Sequence, residues 1–205
     1  AKTTATTADD YLAQARASAG IKGREQTVIR LAEQSLKLRE TAEGYFQRAY
    51  AKGDLKDYQG AITDYNKAIE FKMQNASPYN NRGAAKFHLG DYQGAIADLN
   101  KALKINPQVP TAYNNRGVAK RKLGDYQGAI ADLNKEIEIN PQYDDAYYNR
   151  GNAKYDLGNY QGAIADFTRA IEINPQHASA YYNLGTAKND LKDYQGAIAD
   201  FNKAI

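Results

Sequence analysis

The sequence predicts an all-α protein in which antiparallel helix pairs stack into a solenoid. The pentapeptide Tyr-Gln-Gly-Ala-Ile occurs five times, and each copy begins 34 residues after the previous one. Each interval carries two helical patterns separated by a turn signal, so one repeat is one helix pair. Because a single pair cannot bury its apolar face alone, neighbouring pairs must stack against each other. The five copies begin at Tyr58, Tyr92, Tyr126, Tyr160 and Tyr194.

The second repeat shows how its two helices are specified. Tyr79 and Gly83 are four residues apart and lie on one face of the first helix. Gly90 then provides a C-cap and Asp91 an N-cap for the next helix. That second helix is amphipathic and ends at Asn106-Pro107, because proline cannot continue the hydrogen-bond ladder. Its apolar positions are Tyr92, Ala95, Ile96, Leu99, Ala102 and Leu103.

The same positions identify a family. Nine residues of the second repeat together resemble a tetratricopeptide repeat, and the repeat sequence is similar to that of bacterial members. They are Tyr79, Gly83, Leu89, Gly90, Tyr92, Ala95, Leu99, Ala102 and Pro107. The resemblance implies a right-handed α-solenoid that binds other proteins and has no enzyme activity. It divides the array into repeats 42–75, 76–109, 110–143, 144–177 and a shortened 178–205.

Residues 1–41 do not share the repeat sequence. Ala1 to Thr7 is predicted to be a frayed tail, with Thr7 capping a helix over Ala8–Ser18. After the breakers Gly20 and Gly23, a second helix is expected from about Glu25. The segment is interpreted as a helical cap or degenerate repeat, and the alternative is a simple helical extension. The predicted inward residues of the second helix are Val28, Leu31, Ser35 and Leu38.

Composition excludes several classes of function. The chain has no cysteine, two histidines and a net charge of +3, and its Lys and Arg residues are interleaved with Asp. These features argue against thiolate chemistry, a metal centre and a nucleic-acid partner. No cofactor is expected, and no apolar run is long enough for a membrane span. The compartment stays open: the protein is expected to be soluble, and either cytoplasmic or processed and exported.

By the family resemblance, one arc of the first helix in every repeat lines a concave groove. Amides on this arc can pair with the backbone of an extended peptide, because an amide both donates and accepts hydrogen bonds. Tyrosines add apolar contact, and charges orient the ligand. The candidate peptide-binding residues are Gln47, Asn80, Asn81, Asn114, Asn115, Arg121, Lys122, Tyr148, Asn149, Asn152, Tyr155, Tyr182 and Asn183.

Each feature of this arc has a second interpretation. The amides are also consistent with polar residues that were merely copied with the repeats. Arg121 and Lys122 predict a positive part of the groove, and Asp145, Asp156 and Asp190 a negative part. Ordinary variation of solvated charges explains the same pattern.

Two charged columns are predicted to be structural. An arginine and an aspartate each recur every 34 residues at the edge of an apolar stripe, and we expect them to pair with each other. The repeated glycine exemplified by Gly94 either permits close packing or is simply copied. The columns are Arg48, Arg82, Arg116 and Arg150, and Asp64, Asp98, Asp132, Asp166 and Asp200.

The expected partner is the extended or C-terminal segment of another protein. A possible alternative is homo-oligomerisation through the array ends, because the last helix, around Ala197–Ile205, has an uncovered apolar face. The chain is also compatible with a regulatory part of a longer protein.

Overall fold

The computed structural model describes residues 6–205, which form twelve helices and no strand. The beginning of the expected tail, residues 1–5, lies outside the described residues. None of the helices within 6–205 is long and apolar enough to cross a membrane. In chain order the helices are α1 (Ala8–Ser18), α2 (Glu25–Leu38), α3 (Ala42–Asp54), α4 (Tyr58–Glu70), α5 (Ser77–His88), α6 (Tyr92–Ile105), α7 (Pro110–Lys122), α8 (Tyr126–Ile139), α9 (Asp144–Asp156), α10 (Tyr160–Ile173), α11 (Ala178–Asp190) and α12 (Tyr194–Lys203).

The chain divides into two compact halves, Ala1–Pro107 and Gln108–Ile205. In the N-terminal half each helix packs on the next one, and α3 also contacts α5. The C-terminal half has the same arrangement, with α9 in contact with both α7 and α11. The odd-numbered helices from α3 to α11 are therefore the first helices of the five repeats, and within each half they pack on their partner helices and on one another. This confirms the predicted all-α fold of stacked helix pairs.

The turn inside each repeat follows the predicted capping scheme and explains the repeated glycine. Gly90 has a φ of 82°, and the Asp91 side chain accepts a hydrogen bond of 2.8 Å from the Gly94 backbone N–H. A Cβ on Gly94 would lie 2.0 Å from the Asp91 carboxylate. Gly94 therefore makes room for the helix cap. Gly83 allows the two helices of its repeat to approach closely, since its Cβ would lie 2.9 Å from Leu99 Cγ.

The N-terminal hairpin, α1 and α2, matches its predicted bounds. Thr7 is the N-cap of α1, and Asp10 completes a reciprocal capping box. Val28 and Leu31 are buried in a cluster with Ala15. The expectation that Leu38 points inward is wrong: its side chain is 59% exposed, because α2 ends there and the chain becomes extended. The interpretation of this hairpin as a degenerate repeat stays a prediction.

The arginine and aspartate columns pair as predicted. Asp64 is only 3% exposed, and it accepts hydrogen bonds from Arg48 Nε at 2.8 Å and Nη2 at 2.7 Å. Lys52, one helical turn after Arg48, adds a third contact of 2.8 Å. Such a nearly buried carboxylate is tolerable only because two cations and several hydrogen bonds compensate its lost hydration. The equivalent clusters are Arg82–Lys86–Asp98, Arg116–Lys120–Asp132 and Arg150–Lys154–Asp166.

Two of these arginines also tie one repeat to the preceding one. Arg82 Nη1 donates to Asn66 Oδ1 at 2.6 Å, and Arg150 Nη1 donates to Asn134 Oδ1 at 2.7 Å. The Arg150 guanidinium additionally lies 5.4 Å from the centroid of the Tyr147 ring. At this position the repeated tyrosine packs against the arginine of the ion cluster.

Glu136 of α8 departs from the repeat pattern in the core. It is fully buried, where the equivalent positions hold the fully buried Ala68, Ala102 and Ala170. Its two carboxylate oxygens have no hydrogen-bond partner among the described residues. Burial, with a smaller contribution from the charge of Asp145, raises the pKa of Glu136 to about 8. Ionised Glu136 therefore destabilises the folded state.

The ion clusters predict an unequal response to removing their members. Burial by itself raises the pKa of Asp98, but hydrogen bonds from Arg82 and Lys86 outweigh it and hold that pKa below its usual range. Asp98→Asn leaves two cations uncompensated and should lower the free energy of unfolding by about 3 kcal/mol. Arg82→Leu should lower the free energy of unfolding by only about 1 kcal/mol. The fifth repeat already has this arrangement, since Leu184 stands at the arginine position and Lys188 alone pairs with Asp200. Urea unfolding at pH 7 measures both, and equal losses would contradict this account.

Glu136 predicts that stability falls as pH rises. Its pKa is higher in the folded than in the unfolded chain, where it is about 4.3, so the penalty is absent below pH 4 and grows until pH 8. Glu136→Gln removes the titration at nearly constant volume and should raise stability at pH 8 by roughly 2 kcal/mol, with little change at pH 4. Urea unfolding at both pH values tests this, with the exposed Glu138→Gln as the control. An equal gain at both pH values would refute the titration argument.

Candidate functional site

The amides on the first helices of the C-terminal half bond to one another. Asn149 Nδ2 donates to Asn114 Oδ1 at 2.9 Å, which connects α9 to α7. Asn183 Nδ2 donates to Asn152 Oδ1 at 2.7 Å and to the Tyr148 hydroxyl at 3.2 Å, which connects α11 to α9. These side chains are partly or mostly buried. The amides thus connect neighbouring first helices, and each keeps capacity for further hydrogen bonds. Their predicted role in peptide binding stays a prediction.

The amides of the N-terminal half are also engaged locally. Gln47 is 8% exposed and donates to Glu43 at 2.7 Å, so the structure removes it from the expected ligand-facing row. Asn80 Nδ2 donates to the neighbouring Asn81 Oδ1 at 3.1 Å. Asn115 of the C-terminal half is likewise half-buried. Part of the amide column thus stabilises helix packing.

The predicted separation of charge is wrong for its central members. Arg121 Nε lies 2.6 Å from Asp156 Oδ2, so a residue of the expected positive part neutralises one of the expected negative part. The Tyr155 hydroxyl donates to Asp190, and this bond, more than burial, raises the pKa of Tyr155 to about 12. Lys122 is exposed, as expected.

Exposed aromatic side chains remain in both halves. Tyr182 on α11 is 59% exposed, and Tyr50 on α3 is 36% exposed. Tyr148 lies deeper, with its ring 6.0 Å from Phe167 and 4.8 Å from His177, centroid to centroid. Tyr50 and Tyr182 are therefore better placed for contact with a ligand than Tyr148.

Each half contains a pocket between the first helix of one repeat, the second helix of that repeat and the first helix of the next. The N-terminal pocket, between α3, α4 and α5, has a volume of about 200 Å³. Its wall is rich in aromatic side chains and carries one carboxylate. It is lined by Tyr50, Gly53, Asp54, Tyr58, Tyr65, Asn81, Ala84, Ala85 and His88.

The C-terminal pocket, between α9, α10 and α11, has a volume of about 160 Å³ and uses equivalent positions three repeats later. Asn183 corresponds to Asn81 and Asp156 to Asp54. An additional lining residue, Arg121, comes from α7. Its lining residues are Arg121, Asn152, Tyr155, Asp156, Phe167, Asn183 and Thr186. The fold thus builds one kind of pocket twice and fills it with different chemistry.

One group among residues 6–205 brings three potential metal ligands together: Asp144, Asp145 and His177 lie with one ligand atom each within 4.8 Å. His177 Nδ1 accepts a hydrogen bond of 3.3 Å from the Ala180 N–H as the N-cap of α11. The neutral imidazole then carries its proton on Nε2, the atom 3.5 Å from Asp145. Asp144 is further engaged by a hydrogen bond from Asn174. This bonding favours a capping role over metal ligation.

Sequence reasoning missed most of the N-terminal pocket. Asp54 and Tyr65 belong to no motif when their repeat is considered alone, and Tyr58 was noticed only as the first residue of the repeated pentapeptide. A comparison at a distance of three repeats would have found the pocket, because Asp54 and Asp156 share a position, whereas the arginine 35 residues before Asp156 is replaced by Ala19 before Asp54.

Family models for the tetratricopeptide repeat match most of the chain. The TPR repeat model matches residues 49–90, 85–124 and 119–158, and two tetratricopeptide repeat models match 144–177 and 167–199. None of the curated protein sequences compared with the chain matches it.

Several solved structures have the same architecture. A crystal structure of MamA is 28% identical, covers 80% of this chain and 90% of its own, and has a TM-score of 0.71. The Cut9–Hcn1 heterotetramer of the APC/C contains a chain that is 18% identical, with coverage of 97% and 39% and a TM-score of 0.84. YrrB, described as a TPR protein with an unusual peptide-binding site, is 22% identical, with coverage of 85% and 90% and a TM-score of 0.71. The last two likenesses concern the fold alone.

Proposed function

The chain belongs to the tetratricopeptide repeat family, whose members bind other proteins, and we propose that it holds an extended segment of another protein against the first helices of its repeats. The observation that carries this proposal is the pair of equivalent pockets, one in each half, each opening between consecutive first helices. Repeated pockets suit a ligand that is itself extended and presents side chains at intervals.

The amides and tyrosines around these pockets supply complementary chemistry. Asn81 and Asn183 line the pockets. The free capacity of Asn81 and the side-chain oxygen of Asn183 can pair with a peptide backbone. Tyr50 and Tyr182 present rings that are apolar in body and polar at the tip, which is the pattern favoured at protein interfaces. Lys122 is exposed and can attract an acidic group near the ligand. In this proposal the protein acts as a non-enzymatic scaffold.

Removing one exposed tyrosine from each half should weaken binding without unfolding the chain. We expect Tyr50→Ala combined with Tyr182→Ala to reduce retention of a bound protein at least tenfold, since exposed interface aromatics contribute about 1 kcal/mol or more each. The measurement is quantitative affinity capture from native extract on immobilised chain. The matched control is Gln127→Ala with Gln161→Ala, two exposed residues at the starts of α8 and α10.

The outcomes separate the competing functions. Loss of the same protein from the tyrosine variant alone supports the proposal, and equal retention by all three chains rejects the first-helix surface as the binding site. Retention of nothing but further copies of the chain would instead favour self-association. That second function is suggested by Tyr194 and Ile198 on α12, which are 58% and 61% exposed.

A further inference from the structure

The N-terminal pocket contains a carboxylate that lacks a cationic partner. Among residues 6–205, no lysine, arginine or histidine nitrogen lies within 4.0 Å of the Asp54 carboxylate, in contrast to Asp64 on the next helix with its two cations. Burial, together with the negative charge of Glu25, raises the pKa of Asp54. Asp54 is exposed at the edge of the pocket, and the negative charge near it makes an added cation favourable.

The equivalent carboxylate in the C-terminal pocket has such a cation built in. Asp156 occupies the position of Asp54 three repeats later, and Arg121 lies 2.6 Å from it. Arg121 is 35 residues before Asp156, and the residue 35 before Asp54 is Ala19. Both pockets therefore have the carboxylate, but only the C-terminal pocket also has a guanidinium.

Aromatic rings are frequent in the wall of the N-terminal pocket. Tyr50, Tyr58, Tyr65 and His88 all line the N-terminal pocket. Tyr58 and His88 stack with ring centroids 4.5 Å apart and an interplanar angle of 9°. The faces of tyrosine rings attract cations, and several rings around one site form the cage used to recognise organic ammonium groups. This wall chemistry reinforces the preference set by Asp54.

The size of the pocket fits one side chain. Gly53 stands where the C-terminal pocket has Tyr155, and a Cβ built on Gly53 meets nothing within 4 Å. The resulting volume of about 200 Å³ exceeds the 160 Å³ of the C-terminal pocket. It is smaller than the roughly 300–1,000 Å³ typical of pockets for whole small-molecule ligands.

We propose that the N-terminal pocket binds the cationic side chain of a lysine or arginine, with Asp54 as its counter-ion and Tyr50, Tyr58 and Tyr65 as its walls. The source of that side chain is the extended protein segment of the proposed function, on which this part of the inference rests. The partner segment accordingly carries a basic residue where it crosses α3 and α5.

Short peptides of known sequence test the pocket without a partner. The ¹⁵N-labelled full chain is titrated at pH 7.5 with Ac-Gly-Lys-Gly-NH₂ and, as the uncharged match, with Ac-Gly-norleucine-Gly-NH₂, each to about 20 mM because single side chains bind in the millimolar range. The lysine peptide should shift the backbone amide signals of Ala84 and Ala85 saturably, with an affinity about tenfold above that of the norleucine peptide. Equal shifts with both peptides, or no shift with either, would overturn the proposal.

Two variants make the test specific to the counter-ion. Asp54→Asn should reduce the affinity for the lysine peptide about fivefold to tenfold, and unchanged affinity would refute the assigned role of Asp54. Arg121→Ala removes the internal guanidinium and should create a new response to the lysine peptide at Thr186 in the C-terminal pocket. Absence of that response would show that the two pockets are not equivalent and would contradict the proposal. Because these probes need no partner, a negative affinity capture with a positive titration rejects the scaffold function alone, and the reverse result rejects the cation pocket alone.

Discussion

The buried aspartate on the second helix of each repeat is the interaction on which the rest of the structure depends. Asp64 and its equivalents sit at the helix–helix contact, where a charge is costly unless it is compensated. In four repeats an arginine and a lysine from the first helix supply that compensation, and in the fifth Lys188 alone does so; these pairs fix which faces of the two helices meet. Through its hydrogen bond to Asn66, Arg82 also positions its own repeat against the preceding one. A polar cluster of this kind specifies geometry that small apolar residues alone would leave loosely defined.

Because the ion clusters fix how the two helices of a repeat pack, other positions on the first helices can change from repeat to repeat. The framework residues recur in almost every repeat, whereas the pocket positions change: Gly53 against Tyr155, and Ala84 against Thr186. The two pockets therefore use equivalent positions of the repeat and differ in size, charge and aromatic content. Variation on a repeated scaffold is how such an array can recognise different parts of one ligand. The function proposed for the chain follows from these differences more than from the fold.

The sequence predicted the repetitive part of the structure well, because it is set by local rules. Helix bounds, the cap at Asp91 and the arginine–aspartate pairs follow from spacing and capping chemistry that act within one repeat. Contacts between repeats were harder to predict, as the Arg121–Asp156 pair shows. Residues 35 positions apart meet only when the stacking geometry is known, and no pattern within a single repeat indicates it. Leu38 was misplaced because an apolar periodicity does not reveal where a helix loses its neighbour.

A double-mutant cycle between Arg150 and Asp166 tests most directly whether the buried aspartate clusters determine how the helices pair. The free energy of unfolding is measured by urea titration for the wild type, Arg150→Leu, Asp166→Asn and the double variant. We expect a coupling energy of about 1.5 kcal/mol or more, because the two side chains form an ion pair with two hydrogen bonds in a mostly buried site. A coupling energy within about 0.3 kcal/mol of zero would contradict it and would assign the pairing of the helices to their apolar contacts.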